Sequence, residues 1–541
     1  MFNSHSWKAR VAVILFLLGA VGVLAADDKK KPAAPAKAAP AIAKPGGAGG
    51  ASNHAGGATH GPTGGAGSHG PTTGGAGSHG PTTGGATTHG PTTGGSSAHT
   101  GATTTAGHGT GGASSTHAGA AGAGVKPGAG SAGHTVGGHP ANTGISGRPA
   151  PAGGHTQQLR SGSAIQRRPN GRVSDVHDAK RGMDIHHGLD GGRRVSVERG
   201  DHSRIVAERG RPGYIQRPYR YHGHDFARRS YYYHGREYDR YYRGYGYHGL
   251  YLNVYAPARF YPIGYYGWAY HPWGVPVAFA WGFGAAPWYG YYGGYFAPYP
   301  VYPSASLWLT DYIISSGLAA AYEARKEAEN LPPAEQAGNA PPALTPEVKQ
   351  MIADEVRNEI ALENADAQQS AKNQDPDPAS SSIARALADG HPHVFVAGGS
   401  LDVVDGSGAE CALSDGDVLQ LSAPLADPNA TAASLVVLAS KGRGECAKAA
   451  TVTVALADLQ EMQNHMRETI DRGLEELQQK QGKGGIPAAP PSATAPPTAA
   501  AFAAVAPPPD PNDANDINSQ LKAADQSEQD VTTQAAQEGA H

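Results

Sequence analysis

Between about Arg167 and Arg243 the chain is a series of short runs in which apolar and polar residues alternate. Val173 to Val176, Met183 to His186, Arg194 to Glu198, Arg204 to Glu208 and Tyr214 to Gln216 are each one strand long. Connectors such as Asp178-Ala-Lys-Arg-Gly182, Asp190-Gly191-Gly192 and Arg199-Gly200-Asp201 separate them. Period-two alternation sends successive side chains to opposite faces, so the pattern predicts a β-meander over 167–243. It continues through Tyr219 to Phe226 and Tyr231 to Tyr238, where one face is expected to carry tyrosines and the other arginines and histidines. His186 and His187 are adjacent, so on a strand they point apart and cannot serve one metal site.

From Gly244 to Ser306 the alternation stops and Arg259 is the only charged residue. Units such as Gly264-Tyr-Tyr-Gly-Trp268 and Phe279-Ala-Trp281-Gly-Phe283 are too rich in Gly and Pro for a membrane helix, and no run of about 20 apolar residues occurs. An irregular aromatic segment with a helix from Leu307 is expected over 244–330, followed by a linker at 331–343. A second helix over 344–364 opens cleanly, with Thr345 as cap, Pro346 in the first turn and a stripe of Val348, Ile352, Val356 and Ile360. After a linker at 365–390, residues 391–481 hold six short strand candidates: Val394–Val396, Leu401–Val404, Glu410–Leu413, Val418–Leu421, Leu435–Leu438 and Val452–Val454. A helix from Ala457 to Gln481 follows, with Leu459, Met462, Met466, Ile470, Leu474 and Leu477 on one face. The fold class expected is thus disordered chain plus β: a central meander with an irregular aromatic-rich segment, and a small C-terminal SH3-like β-barrel or roll with flanking helices. Residues 482–541 read as a disordered Pro/Ala-rich, acidic tail.

Composition changes the picture at the N-terminal end. Lys8 and Arg10 precede an apolar run from Val11 to Leu24 and small residues at Ala25 and Ala26, which reads as a signal peptide over 1–26. Residues 27–166 read as a disordered arm: an Ala/Pro/Lys spacer, then a Gly/His/Thr decapeptide repeat marked by His60, His69, His79, His89 and His99. The repeat has no apolar face to bury, so it cannot stack into a solenoid. Its histidines could gather metal ions, but a Gly-rich chain preorganises no site. Export places Cys411 and Cys446 in an oxidising compartment, where one pair in one segment forms a disulfide. Neither a metal site nor a cofactor is expected from the remaining residues.

Charge divides the chain sharply. Residues 157–243 carry 19 basic and 10 acidic side chains, and residues 323–541 carry 14 basic and 33 acidic. Such blocks either attract one another within the chain or keep a basic face for an anionic partner. All 25 tyrosines lie between Tyr214 and Tyr322. Arg217, Arg220, Arg228, Arg229, Trp268, Trp273, Trp281 and Trp288 are therefore the candidates for a surface that contacts a cell-wall or other anionic polymer, or a glycan. His465, with Glu461 or Glu468 on the last helix, offers metal-like spacing without an HExxH motif, and reads as an exposed polar face. No nucleophile elbow, Walker loop or CxxC is present, and no nucleic-acid partner is expected.

The run Trp288-Tyr-Gly-Tyr-Tyr-Gly-Gly-Tyr-Phe-Ala-Pro-Tyr-Pro-Val-Tyr302 and the helix beginning at Asp458-Leu-Gln-Glu-Met resemble a family of uncharacterised secreted bacterial proteins with a Tyr/Gly/Trp-rich centre and a small C-terminal β domain. The resemblance covers about Arg168 to Gly482. It implies export and this layout, and it carries no activity or catalytic residue. The reading reached is a non-enzymatic structural or binding protein that is secreted, periplasmic or held in the cell envelope. The alternatives are metal sequestration by the histidine arm, and self-assembly through sheet edges; the C-terminal helix is expected to contact a protein partner or a second copy of the chain.

Overall fold

The computed structural model describes residues 152–327 and 343–539 except 422, 426, 428, 443 and 444, all within one compact unit. The expected signal peptide, the spacer, the histidine repeat and residues 331–342 lie outside them. Ten strands follow one another in a single antiparallel meander: β1 (His155–Gln158), β2 (Ala164–Arg167), β3 (Val173–Asp178), β4 (Met183–His187), β5 (Arg193–Glu198), β6 (Arg204–Glu208), β7 (Gly213–Tyr221), β8 (His224–Tyr233), β9 (Arg236–Tyr247) and β10 (Leu250–Ala256). The sheet begins inside the stretch expected to be a disordered arm and runs past the expected boundary at Arg243.

Two of the expected strands are hairpins instead. The chain reverses at His222-Gly223, His234-Gly235 and His248-Gly249, where His φ is 48°, 49° and 45° and Gly φ is 81°, 73° and 79°. Two consecutive positive-φ residues give the two-residue turn whose twist matches that of the strands. Each His stacks on or abuts the preceding tyrosine, as in Tyr221–His222 with ring centroids 3.8 Å apart. The expected division of tyrosines and arginines between faces also fails. Doublets such as Arg228-Arg229, Tyr231-Tyr232 and Tyr241-Tyr242 place one member on each face, so both faces carry both residue types.

One face of the meander is an apolar stripe of Ile165, Val176, Ile185, Val195, Ile205 and Ile215. It is covered by the part of the chain expected to be a disordered tail. The helix responsible, residues 513–539, presents Ile517, Ala524, Val531 and Ala535 to that stripe. Burying an Ile or Val side chain stabilises by about 1.5–3 kcal/mol, which is enough to hold a helix that is otherwise polar. Acidic residues on its rim pair with the arginines of the sheet: Asp513 with Arg217 at 2.6 Å, Asp516 with Arg199 at 2.6 Å, Glu528 with Arg193 at 3.0 Å and Asp530 with Arg181 at 2.9 Å. The opposite charge blocks thus meet within the chain.

After β10 come β11 (Arg259–Phe260), α1 (Ile263–Tyr270), β12 (Pro272–Val277), α2 (Pro287–Tyr291), β13 (Tyr302–Ser304), α3 (Ala305–Glu327), α4 (Pro346–Ser370) and α5 (Ile383–Ala388). Thr345 caps α4 by accepting from Val348 N at 3.4 Å. Aromatic residues of this segment are core. Tyr265, Tyr266, Phe296, Tyr302 and Trp308 are fully buried against α3 and α4. Phenolic hydroxyls need partners when buried. Tyr266 donates to Glu363 at 2.7 Å and Tyr302 to Asp311 at 2.6 Å.

The C-terminal strands β14 (His393–Val396), β15 (Leu401–Asp405), β16 (Glu410–Leu413), β17 (Val418–Leu421), β18 (Ala432–Ala439) and β19 (Thr451–Ala455) lie where the alternation placed them. They form one sheet in the order β14-β17-β18-β19-β15-β16 and do not close into a barrel, one of the two forms expected (barrel or roll). Cys411 and Cys446 are joined, with S–S 2.10 Å and Cα–Cα 4.9 Å. The next helix, α6 (Leu456–Lys480), buries Leu459, Met462, Met466, Ile470, Leu474 and Leu477 within the chain, so the stripe proposed for self-association is already occupied. On α6, Asn464 closes the edge of β10: its Oδ1 accepts from Tyr255 N at 2.9 Å and its Nδ2 donates to Asn253 O at 2.7 Å. The order ends with β20 (Thr498–Ala499), which pairs with β11, then α7 (Ala501–Ala504) and α8 (Asp513–Gly539), the tail helix described above.

Candidate functional site

The meander face turned away from α8 carries rows of polar side chains that run across the strands. Val206, Tyr214, Tyr231 and Tyr238 stand opposite one another on β6 to β9, and Arg204, Gln216, Arg229 and Arg240 form the neighbouring row. On the other side of the tyrosine row lies the Arg194–Glu208 pair of β5 and β6. The tyrosines form a ladder, with centroids 4.9 Å apart for Tyr214–Tyr231 and 5.0 Å for Tyr231–Tyr238. Such a face would normally meet water, but here a second layer stands over it. Asp458, Glu461, His465, Glu468 and Arg472 recur along α6 at steps of three and four, so they share one face of that helix. That face, the 398–400 loop and Gly317 of α3 line, with the sheet, a half-open cavity of about 310 Å³. Sites of this size, at the lower end for small-molecule pockets, occur preferentially where two layers or domains meet.

Five arginines and five carboxylates line the cavity. Arg211 holds both Asp415, at 2.9 and 2.6 Å, and Glu208, at 2.8 Å. Arg229 grips Glu461 with two bonds of 2.7 Å, donates to Gln216 at 2.8 Å and lies over the Tyr242 ring at 4.0 Å. Tyr242 donates to Glu468 at 2.5 Å and shares a 3.1 Å contact with Tyr231. Burial works against ionisation of Asp415 and Glu461, but Arg211 and Arg229 outweigh it and keep both carboxyls below their ordinary range. Glu208 is the opposite case: burial outweighs Arg211 and pushes its carboxyl up. Burial also pushes the His465 imidazole down, so it is neutral near pH 7. The 398–400 loop closes on that ring so tightly that a Cβ on Gly398 would lie 2.0 Å from it.

Arg194 differs from the others. Its cross-strand neighbour Glu208 is committed to Arg211, and among the described residues Arg194 makes no ion pair or side-chain hydrogen bond. Burial opposes its charge, yet Tyr214, Glu208, Asp458 and Glu461, acting at a distance, more than compensate.

The eight arginines and tryptophans singled out from the sequence do not come together. Arg217 lies under α8, bound to both oxygens of Asp513. Arg228 is buried on that same face, 2.5 Å from Asp239. Arg220 is near a hairpin tip, 3.3 Å from Asp225, and about half exposed. Trp273 is buried and stacks with Trp268 at 5.7 Å, Trp281 stacks on Trp308 at 4.7 Å, and Trp288 meets Phe283 edge-on at 4.9 Å. Only Arg229 reaches the cavity. Glu461, His465 and Glu468, read as an exposed face, line it, because the meander packs over that side of α6. The remaining cavity residues escaped notice because charges alternating with Val and Ile look like the solvent side of a strand. The three-four spacing of polar residues on α6 was the available signal.

His186 and His187 do point apart: His186 meets Asp175 at 2.8 Å and Asp402 at 3.3 Å, and His187 meets Glu528 of α8 at 3.1 Å. Among the described residues no group of three His, Cys, Asp or Glu side chains could hold a metal ion, and no helix is long and apolar enough to cross a membrane. No family model, curated protein or solved structure matches the chain.

Proposed function

We propose that this is a non-enzymatic binding protein of the exported cell envelope, and that its binding site is the charged cavity between the meander and α6 rather than an outer aromatic surface. One observation carries the reading. The cavity's guanidinium and carboxylate groups are fixed in place before any ligand arrives, by bidentate pairs such as Arg211–Asp415 and Arg229–Glu461. Donors and acceptors held in this way lose little freedom on binding, so the cost of recognition is low. The Cys411–Cys446 bond supports the exported setting.

The test is a thermal-shift screen of the full chain against small polar compounds of both charges. A binder should raise the melting temperature of the wild type. It should do nothing for Gly399→Phe, a plug at a position where an added Cβ meets no atom within 4 Å. Ala320→Trp, at the exposed rim of the cavity, is a second plug. Stabilisation that survives both plugs would place the site elsewhere and refute the proposal.

A further inference from the structure

The second-layer carboxylates and the unpaired Arg194 guanidinium together specify a ligand. We propose that the cavity takes a polyhydroxylated carboxylic acid of monosaccharide size, of the hexuronate type, with its carboxylate on Arg194. The proposal rests on the cavity being the binding site and adds the class of molecule it takes.

Arg211 and Arg229 spend their planar donor faces on Asp415, Glu208 and Glu461. Arg194 lines the same cavity, half buried, with neither a carboxylate within ion-pair distance nor a side-chain hydrogen bond among the described residues. A guanidinium offers five donors in a fork that matches a carboxylate in two-point geometry, and Arg194 is part of the cavity lining. Arg472 also lines the cavity without a carboxylate partner but donates to Thr469 at 2.9 Å, and Arg240 lies 3.7 Å from Glu468, so among the five Arg194 is the one with neither an ion pair nor a side-chain hydrogen bond to give up.

The rest of the lining favours hydroxyl groups around that oxyanion. A carboxylate has about four acceptor positions, and the bidentate pairs on Asp415 and Glu461 occupy only some of them. Glu461 keeps its side chain about one-third exposed, which leaves it open to the cavity. Sugar hydroxyls can donate to such fixed acceptors. The neutral His465 ring, pinned by Gly398, adds a group that can donate or accept. A bare dicarboxylate would meet Glu208 and Glu461 with no hydrogens to offer, and an uncharged sugar would leave Arg194 unmatched.

Isothermal titration of the full chain with four probes decides the matter: glucuronate, glucose, succinate and inorganic phosphate. Glucuronate should bind at one site per chain. Glucose, which has the hydroxyls without the carboxylate, and succinate, which has carboxylates without hydroxyls, should each bind at least about tenfold more weakly, the discrimination expected when one charge-assisted contact is missing. Arg194→Gln should weaken glucuronate by a similar factor with the fold retained, because it breaks no ion pair. Equal binding of glucuronate and glucose, tighter binding of phosphate or succinate than of glucuronate, unaltered binding by Arg194→Gln, or no glucuronate binding would each overturn the assignment. If another compound then binds and Gly399→Phe abolishes it, the cavity remains the site and only the ligand class is wrong. If Gly399→Phe leaves glucuronate binding intact, the cavity itself is excluded.

Discussion

Asp513 is the residue on which the docking of the C-terminal helix turns, and replacing it tests whether the two charge blocks are satisfied within the chain. Its side chain is fully buried, while that of Arg217 is one-fifth exposed. The carboxylate takes both Arg217 nitrogens, at 2.7 and 2.6 Å, the Tyr232 hydroxyl at 3.2 Å and its own chain's Asp510 N at 3.1 Å. An exposed ion pair is worth about 0.2–1 kcal/mol, and breaking a fully buried one costs about 3–5 kcal/mol. With one partner buried and the other partly solvated, Asp513→Asn should cost about 2 kcal/mol, measured by urea unfolding of the full chain. In a double-mutant cycle with Arg217→Gln the coupling should be about 1–2 kcal/mol, since the two side chains touch. Burial opposes ionisation of Asp513, but its bonds to Arg217 win and depress its folded-state pKa. The stabilisation is therefore present above the unfolded carboxyl range near pH 4 and is lost as pH falls below it, a dependence Asp513→Asn should flatten. The variant should also expose residues 506–512 to proteolysis. A coupling below about 0.3 kcal/mol, or wild-type protein cut there as readily as the variant, would refute the docked helix.

Lys349→Met should cost about 3–5 kcal/mol in the same assay, because Asp311, 2.6 Å away, would be left buried without its cation, and adding Asp311→Asn should recover much of it. A cost under 1 kcal/mol would mean that α3 and α4 do not pack as described. Asn464→Ala should cost about 1–3 kcal/mol and raise amide exchange at Tyr255, whose N–H loses its acceptor, while unchanged exchange would show that the β10 edge is closed by something else. Replacing Cys411 and Cys446 with Ser should cost about 4 kcal/mol on the chain-entropy account for a sequence separation of 35, and a cost near zero would refute a constraining bond.

What the sequence disclosed depended on whether a pattern was decided locally. The six C-terminal strands and α6 were placed within a few residues because short alternating runs between Gly turns have one reading. Whether they close into a barrel was not decided locally, and they do not. The His-Gly turns of the meander were missed because Asn-Gly and Asp-Gly are the familiar pairs, so Tyr219–Phe226 and Tyr231–Tyr238 were read straight through their reversals. The tail helix was hidden by its composition. Ile517 and Val531 are too sparse to announce a helix without the apolar stripe they cover. The cavity was illegible for a related reason: Arg194, Glu208 and His465 each sit on an ordinary polar face, and only the meeting of two such faces removes them from bulk water.

The central claim is that ligand enters the cavity between the meander and α6. The most direct measurement is the imidazole resonance of His465 in the full chain, followed by NMR as the compound with the largest thermal shift is added. The account predicts that this resonance moves to saturation in the wild type and stays fixed in Gly399→Phe, while the hairpin-tip histidines His222, His234 and His248 stay fixed in both. A His465 signal unmoved by a compound that binds, or one that still moves in the plugged protein, would contradict it.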